Sequence, residues 1–570
     1  MDQKEKPSKF RTLFSFECFV TCFSRRMETR EDLRSILPYL PLVMRSSSPF
    51  WPSQALETLR ELGSARVNSG HHFFVAISKL RNALSLSSEP LAPSTSHGYA
   101  LFFDEVMSRE ESRKWFQEVL PALGNLLLRL PSLLETHYQN PNPNIMAVDG
   151  EEDMLTTALR LLDSQQPGIV FLSQELIAAL LACSLFCLFP VNERYLNHLP
   201  AINFDELFAS LYDDYSRKQE NKIWCIVHYF QRISSEMPMG VVSFERKVLP
   251  FENDSIHISY PDANFWSKSD IPLCKFEVHS SGLIEDQSSG AVEVDFANKY
   301  LGGGALGRGC VQEEIRFMVS PELIAGMLFL PAMADNEAIE IVGVERFSSY
   351  TGYASSFRFS GDYMDEREVD TLGRRKTRIA AIDALCSPGM RQYRAKFLLR
   401  EINKAFCGFL NQCKYQPYKK ILQENGCSSA LFDAATSTSM ESSEGKNPNH
   451  IIKNSQKNYH WMDQGNNIGV ATGNWGCGAF GGDPEVKAII QWLAASQALR
   501  PFIAYYTFGL EALQNLDKVA HWISSQRWTV GDLWNMLIEY STSRLEGETN
   551  VGFLQWLLPS VYGHGAGMDL

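Results

Sequence analysis

The 570-residue sequence has no apolar run long enough to cross a membrane, no CxxC pair and no excess of positive charge. Its longest apolar run, Leu176 to Phe189, falls short of the roughly 20 residues that a transmembrane helix needs, so we expect a buried helix there. The net charge of −13 argues against a general affinity for nucleic acids or other polyanions. Any phosphate-bearing ligand should therefore be held locally, by backbone amides, helix N-termini and a few cations.

The twelve cysteines are scattered along the chain, and their closest spacings, Cys18/Cys22 and Cys183/Cys187, lack the further ligands of a zinc site. We expect small buried thiols in a reducing compartment. The apolar stretch after the first basic residues is interrupted by Glu17 and has no small-residue cleavage site, which argues against secretion. Residues 1–29 are therefore predicted to be a poorly ordered extension, either organelle-targeting or dispensable.

The chain is too long for one hydrophobic core, so we expect at least two domains. From about Arg30 to Phe244 the apolar spacing is helical, as in Met154 to Leu162, where apolar residues fall at i, i+1, i+4, i+5 and i+8. Residues 30–244 are predicted to form an all-helical accessory domain.

After Val248 short β-rich runs alternate with helical ones, which indicates an α/β sheet with ligand sites at its strand ends. The polar segment 414–467 lacks a sustained apolar period and is predicted to be a flexible insertion in a domain formed by residues 245–413 and 468–570. The predicted strands are 291–296, 338–347, 378–385 and 502–508, and the predicted helices are 396–410 and 484–499.

A glycine-rich loop follows the strand that contains Asp295. Three glycines, 302–304, let the backbone approach a ligand closely, and Gln312-Glu313-Glu314 follow at the start of a helical pattern. Diphosphate binding and acid/base chemistry are thereby predicted in one loop. Taken alone, the two glutamates also fit a solvated first helical turn, and Asp295 also fits a simple turn at a strand end.

The same loop matches the dinucleotide-binding pattern Gly302-x-Gly304-x-x-Gly307, which raises the alternative of a Rossmann oxidoreductase. That fold needs an acidic residue at the end of a second strand about 20 residues further on. Residues 321–327 of this chain instead have a helical pattern. The oxidoreductase is therefore disfavoured, and an assay of nicotinamide reduction would expose it.

A triple glycine followed at short spacing by Gln-Glu-Glu resembles the signature of the poly(ADP-ribose) glycohydrolase family. The resemblance continues through the runs 351–353, 472–483 and 506–509, and the helical half resembles plant members. It implies a macrodomain-like α/β fold, a mixed sheet sandwiched by helices, preceded by the all-helical domain. It also implies hydrolysis of the ribose–ribose bonds of poly(ADP-ribose).

By this resemblance Glu314 is the catalytic acid/base: it protonates the 2′-oxygen leaving group and then activates the water that captures an oxocarbenium-like centre. Glu313 holds ribose hydroxyls, and Asp295 is the third acidic position. Such a mechanism is physically consistent, because a ribosyl cation tolerates a loose transition state. Three crowded carboxylates should raise the pKa of at least one of them. No metal or cofactor is required.

The resemblance also implies a set of substrate-binding positions. Tyr353 would stack on adenine, although a tyrosine packed on a strand is an alternative. Gly476 and Gly478, after the strand near 472, would let backbone amides surround the diphosphate. Phe480 and Phe508 would line the ribose pocket. The full set is Ile284, Glu285, Asn298, Gly303, Gly304, Gln312, Tyr353, Asn474, Trp475, Gly476, Cys477, Gly478, Ala479, Phe480 and Phe508.

The implied partner is poly(ADP-ribose), including chains on modified proteins, with no DNA or membrane binding and with a monomeric enzyme. The resemblance further implies residence in nucleus and cytoplasm and a part in the DNA damage response. One alternative from the binding class is a catalytically weak ADP-ribose reader. The intact acids Asp295, Glu313 and Glu314 argue against it, because a reader needs the diphosphate loop but not three carboxylates.

Overall fold

The computed structural model describes residues 30–562 except 46–47, 65, 140–156, 254–255, 259, 288–289 and 411–467. The predicted N-terminal extension, residues 1–29, and the predicted insertion, residues 414–467, lie outside the described residues. The remaining chain contains one large mixed sheet with helices on both faces.

The large sheet has the strand order β3-β4-β9-β12-β8-β13-β14-β7. Strands β12, β8, β13, β14 and β7 are parallel to one another, so their carboxyl ends meet at one edge, where ligand sites of α/β sheets form. The described strands are β1 (Val43–Arg45), β2 (Ser48–Phe50), β3 (Gly168–Ser173), β4 (Val241–Val248), β5 (Phe251–Asn253), β6 (Ile256–Ile258), β7 (Lys275–His279), β8 (Val292–Ala297), β9 (Glu337–Val342), β10 (Ser348–Thr351), β11 (Arg358–Asp362), β12 (Arg378–Asp383), β13 (Val470–Gly473) and β14 (Phe502–Tyr506).

Hydrophobic clusters pack on both faces of the sheet. The larger one joins the N-terminal helices to one face, and a second joins the helices near 400, 490 and 535 to the other. The described α-helices are Glu31–Ile36, Ser53–Gly63, Gly70–Ala83, Thr95–Ala100, Arg109–Lys114, Leu120–Gln139, Gln174–Leu185, Asn192–Leu196, Asp205–Asp213, Arg217–Ser235, Ala263–Ser267, Gln312–Val319, Ala395–Phe409, Pro484–Gln497, Leu516–Ser525, Val530–Glu546 and Phe553–Leu557.

Most predicted elements are confirmed within a residue or two: strands β8, β12 and β14 and the helices near 400 and 490. The buried helix predicted at 176–189 is also confirmed, but it spans Gln174–Leu185 and so ends four residues earlier. The predicted strand 338–347 ends earlier, at Val342. Gly343 follows it with a φ of +110°, a conformation that takes the chain out of the strand. Among the described helices, none combines the length and apolar character that crossing a bilayer would need.

The helical prediction for Met154 to Leu162 is wrong in the described part, because residues 157–162 form no helix. The side chains of Leu159 and Leu162 are buried as their spacing predicted. Their amides, however, donate to His137 Nε2 at 2.8 Å and to the Phe329 carbonyl at 2.9 Å instead of to a helical turn. The apolar spacing therefore reflects burial of an irregular segment.

The helical half also contributes to the sheet, which an all-helical prediction does not include. Strand β3 and the start of β4 come from this part of the chain, and β4 pairs with β9. Strand β3 has the continuous apolar sequence Ile-Val-Phe-Leu, which is typical of a strand buried on both faces. The two halves therefore share one sheet.

Candidate active site

The site lies where strands β8 and β13 separate. The two strands pair at Val292 and Glu293 only. Beyond that point the side-chain amide of Gln312 bonds to β8: its Oε1 accepts from the Phe296 amide at 2.8 Å, and its Nε2 donates to the Val294 carbonyl at 3.1 Å. Because Gln312 takes the place of β13 along β8, a gap opens between the strands at the carboxyl edge of the sheet.

Backbone amides hold the two adjacent glutamates at the start of the helix Gln312–Val319. The Glu313 carboxylate accepts from the amides of Asn298 at 2.8 Å and Gly302 at 2.7 Å. The Glu314 carboxylate accepts from the amides of Gly304 at 3.0 Å and Val311 at 2.8 Å. Each carboxylate is thus oriented through both of its oxygens before any substrate binds.

The glycine-rich loop wraps closely around these carboxylates. A Cβ at Gly303, whose φ is +49°, would lie 2.6 Å from Glu313 Oε2, and a Cβ at Gly309 would lie 2.6 Å from Glu314 Oε1. The amides of 302, 303 and 304 all donate within the protein, to Glu313, the Tyr300 carbonyl and Glu314. The glycines therefore serve first to cradle the acids, and a diphosphate contact by Gly303 and Gly304 stays a prediction.

Asp295, on strand β8, is buried without a hydrogen-bond partner. Only 1% of it is exposed, and neither carboxylate oxygen has a donor among the described residues. Burial first, and then the charge of Glu314, raises the pKa of Asp295 to about 8, although Arg316 opposes the shift. Asp295 therefore retains a proton at neutral pH. Repulsion between carboxylates contributes, but burial is the larger cause.

Glu313 and Glu314 differ in their access to the gap. Burial and the charge of Asp295 raise the pKa of Glu313 well above the ordinary value, while the amides of Asn298 and Gly302 oppose this. Glu313 is 3% exposed and Glu314 is 8% exposed. Glu314 is thus the most exposed of the three acidic residues, although all three are buried.

Several predicted substrate-binding residues already have protein partners. Ile284 and Glu285 are buried, and the Glu285 carboxylate accepts from the Tyr350 hydroxyl at 2.5 Å. The Asn298 side chain accepts from the Tyr300 amide at 3.0 Å. Any contact of these side chains with a substrate would share or replace these bonds.

Two exposed aromatic residues follow strands β10 and β14. Tyr353 is 54% exposed, and its hydroxyl bonds to the backbone of Gln312 beside the two glutamates. Phe508 is 46% exposed and follows β14 in a left-handed conformation, with a φ of +53°. Its ring lies 3.0 Å from the position of a Cβ on Gly473 at the end of β13. Both rings are placed to contact a ligand in the gap.

The loop after β13 supplies backbone groups in place of side chains. The Trp475 indole is fully buried, donates to the Ile382 carbonyl at 2.9 Å and lies 3.9 Å from Lys487 Nζ, so its ring is a core element that a substrate does not meet. Cys477 is half-buried, and its thiol contacts the Trp475 carbonyl at 3.4 Å. Within the described chain the amides of Gly478, Ala479 and Phe480 donate to no acceptor. These amides are available to an anion.

Lys222, which was not among the predicted site residues, is buried in the helix Arg217–Ser235 and donates to the carbonyls of Gly307 and Gly309 at 2.6 Å each. A signal was present: Gln219, Lys222, Ile223 and Ile226 share one helical face at i, i+3, i+4 and i+7. A lysine within such a buried face needs acceptors.

A mixed sheet between two layers of helices, with buried carboxylates at the carboxyl edge, defines an α/β enzyme fold that carries the acid/base groups of a glycoside hydrolase. Residues 263–515 match the family described as poly(ADP-ribose) glycohydrolase, Macro domain fold, and residues 107–246 match its helical domain. The chain belongs to the poly(ADP-ribose) glycohydrolase family. This membership excludes the Rossmann alternative.

Curated relatives match over most of the chain. Poly(ADP-ribose) glycohydrolase 1 of Arabidopsis thaliana is 57% identical, over 94% of this chain and 98% of its own length. The probable poly(ADP-ribose) glycohydrolase 2 of the same plant is 52% identical, over 94% of this chain and 100% of its own length. Poly(ADP-ribose) glycohydrolase 1 of Caenorhabditis elegans is 31% identical, over 55% of this chain and 35% of its own length. The resemblance to plant members is thereby confirmed.

Proposed function

We propose that this protein is a poly(ADP-ribose) glycohydrolase, which hydrolyses the ribose–ribose O-glycosidic bonds of poly(ADP-ribose) and releases ADP-ribose. The observation that carries the proposal is the pair Glu313–Glu314, fixed by four backbone amides beside the buried Asp295, whose carboxylate has no donor among the described residues. Family membership and the Arabidopsis relatives support the same activity. A reader without turnover would need none of this arrangement.

In the proposed reaction Glu314, as an acid, donates a proton to the 2′-oxygen of the leaving ribose while the bond from that oxygen to the anomeric carbon breaks. The anomeric carbon gains oxocarbenium character. The Glu314 carboxylate then removes a proton from the water that attacks this carbon, which returns Glu314 to its acid form. Glu313 orients the ribose hydroxyls. Asp295, in its neutral form, adds no further negative charge beside the two glutamates.

Other groups around the gap would bind the diphosphate, adenine and ribose of ADP-ribose. The amides of Gly478, Ala479 and Phe480 bind the diphosphate, as unpaired amides in a glycine-containing loop can do. Tyr353 stacks on adenine, and Phe508 packs against ribose. The enzyme prefers chain ends and leaves the protein-linked unit, because its chemistry is directed at ribose–ribose linkages.

We further propose that the enzyme acts as a monomer on poly(ADP-ribose), including chains on modified proteins, without binding DNA or membranes. The net charge of −13 supports the proposal for DNA, because it disfavours a general affinity for polyanions. Poly(ADP-ribose) is also a polyanion, and the local groups of the site would hold it. Residence in nucleus and cytoplasm and a role in the DNA damage response are the expectations that accompany this substrate.

The test is an assay of ADP-ribose release from poly(ADP-ribose) on an automodified polymerase, with a mono-ADP-ribosylated protein as the control substrate. We expect the polymer to shorten, free ADP-ribose to accumulate and the mono-ADP-ribosylated protein to stay unchanged. Binding of the polymer without shortening would contradict the proposal and indicate the reader instead.

A further inference from the structure

A buried lysine from the helical half of the chain contacts the catalytic loop. Lys222 lies on the helix Arg217–Ser235, within the segment that matches the family's helical domain, and none of its surface is exposed. Its ammonium donates to the carbonyl oxygens of Gly307 and Gly309 at 2.6 Å each, and the Gly304 carbonyl lies 3.5 Å away. Among the described residues no carboxylate lies within ion-pair distance of it.

Neighbouring residues of the same helix hold the same stretch of loop. Gln219 donates to the Gly307 carbonyl at 3.2 Å, one turn before Lys222. Lys218 donates to the Arg308 carbonyl at 3.1 Å. Three consecutive carbonyls, 307 to 309, are therefore all fixed by one helix, and Lys222 holds two of them.

The opposite side of this loop lies in close contact with Glu314. The Gly309 Cα carries no side chain, and a Cβ there would lie 2.6 Å from Glu314 Oε1. The Gly309 amide donates to the Gly304 carbonyl at 3.1 Å, and the Gly304 amide donates to Glu314 at 3.0 Å. A shift of the carbonyls that Lys222 holds would therefore move both the amide and the backbone that locate the Glu314 carboxylate.

We propose that Lys222 is a positioning residue for glycosidic-bond cleavage: from the helical domain, it fixes the loop 304–309 and thereby the Glu314 carboxylate. This inference rests on the proposed function and adds that the helical domain is part of the catalytic apparatus. Lys222 itself touches neither substrate nor reacting atoms. It acts by holding the loop in a geometry that a loop with three glycines in six residues would not keep alone.

The environment of Lys222 fits a role in positioning the loop 304–309 better than a role in stabilising the fold. Burial lowers its pKa to about 8, while Cys310 and Glu314 oppose this shift. A buried cation without an ionic partner costs folding free energy, which its carbonyl bonds only partly offset. The cost falls at the loop whose Gly304 amide holds the catalytic acid, Glu314.

The test compares kcat, KM and ADP-ribose affinity of the full-length wild type with those of Lys222→Met and Lys222→Arg. Displacement of a catalytic group by about 1 Å costs roughly 100-fold in rate, so we expect kcat of Lys222→Met to fall roughly 10- to 100-fold. KM and the dissociation constant for ADP-ribose should stay within about threefold, since the amides of 478–480 and the rings of Tyr353 and Phe508, which are proposed to bind ADP-ribose, lie outside the loop 304–309. Lys222→Arg keeps the charge and should recover most of the lost kcat.

The matched control is Arg81→Met. Arg81 is another buried cation that holds carbonyls, including that of Leu86 at 3.1 Å, but entirely inside the helical half. It should lower stability and leave kcat near the wild-type value. If Lys222→Met does not fold, Lys222→Gln replaces it, with the same loss of kcat expected.

A folded Lys222→Met or Lys222→Gln enzyme with kcat within twofold of wild type would overturn the inference, as would an equal loss of kcat in Arg81→Met. Failure of the proposed function is distinguishable from both, because the wild type itself would then release no ADP-ribose.

Discussion

At the residue scale, three carboxylates of one site differ in what surrounds them. Asp295 has no donors and retains a proton, whereas Glu313 and Glu314 each accept two amide bonds. Amide donors stabilise an ionised carboxylate, and burial without donors stabilises the neutral form. The amides of Asn298 and Gly302 therefore oppose, but do not reverse, the rise in the pKa of Glu313 that burial causes.

Replacement of Asp295 by Asn should change how stability depends on pH. The folded protein holds the Asp295 proton up to a pKa of about 8, above the ordinary 3.8 of the unfolded chain. Its stabilising contribution is therefore complete at acid pH and is lost as pH rises toward 8. Urea unfolding should show wild type losing up to about 1.4 kcal/mol per pH unit more than Asp295→Asn between the two pKa values. Parallel slopes for the two proteins would contradict the buried-proton account.

Some site residues were predictable from sequence and others were not. Glu313, Glu314 and Asp295 were predicted because they lie within one short stretch of chain, next to glycines. The bonds of Gln312 to the β8 backbone were not, since they depend on how β8 and β13 diverge. Trp475 belongs to a run of residues predicted to bind substrate, yet its indole lies in the core. Only the folded structure distinguishes a tryptophan that contacts substrate from one that packs in the core.

At the element scale, the loop between β8 and the helix Gln312–Val319 is shaped by the glutamates that follow it. Its glycine amides donate to these carboxylates, and the missing side chains make room for them. The dinucleotide-binding pattern in the same loop is thus accounted for by close approach of backbone to protein carboxylates.

A methyl group at position 309 should disable this loop, whereas one at 307 should be tolerated. A Cβ at Gly309 would lie 2.6 Å from Glu314 Oε1, but a Cβ at Gly307 would meet its nearest atom at 3.6 Å. We expect Gly309→Ala to lower kcat roughly 10-fold or more, because Glu314 must move. Gly307→Ala should keep most of the wild-type kcat. Equal activity of the two variants in the polymer assay would show that the loop does not position Glu314.

At the scale of the whole molecule, the helical half and the sheet form one unit. Strands β3 and β4 extend the sheet on one side, and the helix Arg217–Ser235 holds the catalytic loop. Periodicity predicted the helices near 400 and 490 and the strands β8, β9, β12 and β14, but not β3, β4, β7 or β13. It could not predict contacts between segments about 90 residues apart, such as Lys222 with Gly309, because apolar spacing reports burial and not the partner.

The most direct test of Glu314 as the acid/base is the rate of ADP-ribose release by Glu314→Gln, with binding of ADP-ribose measured in parallel. The matched control is Glu322→Gln, because Glu322 is also a buried glutamate that accepts two bonds, at 2.8 Å each, outside the site. We predict that Glu314→Gln binds ADP-ribose but loses at least about 100-fold in kcat, while Glu322→Gln stays active. Near-normal turnover by Glu314→Gln would contradict the assignment of Glu314 and, with it, the mechanism proposed for this site.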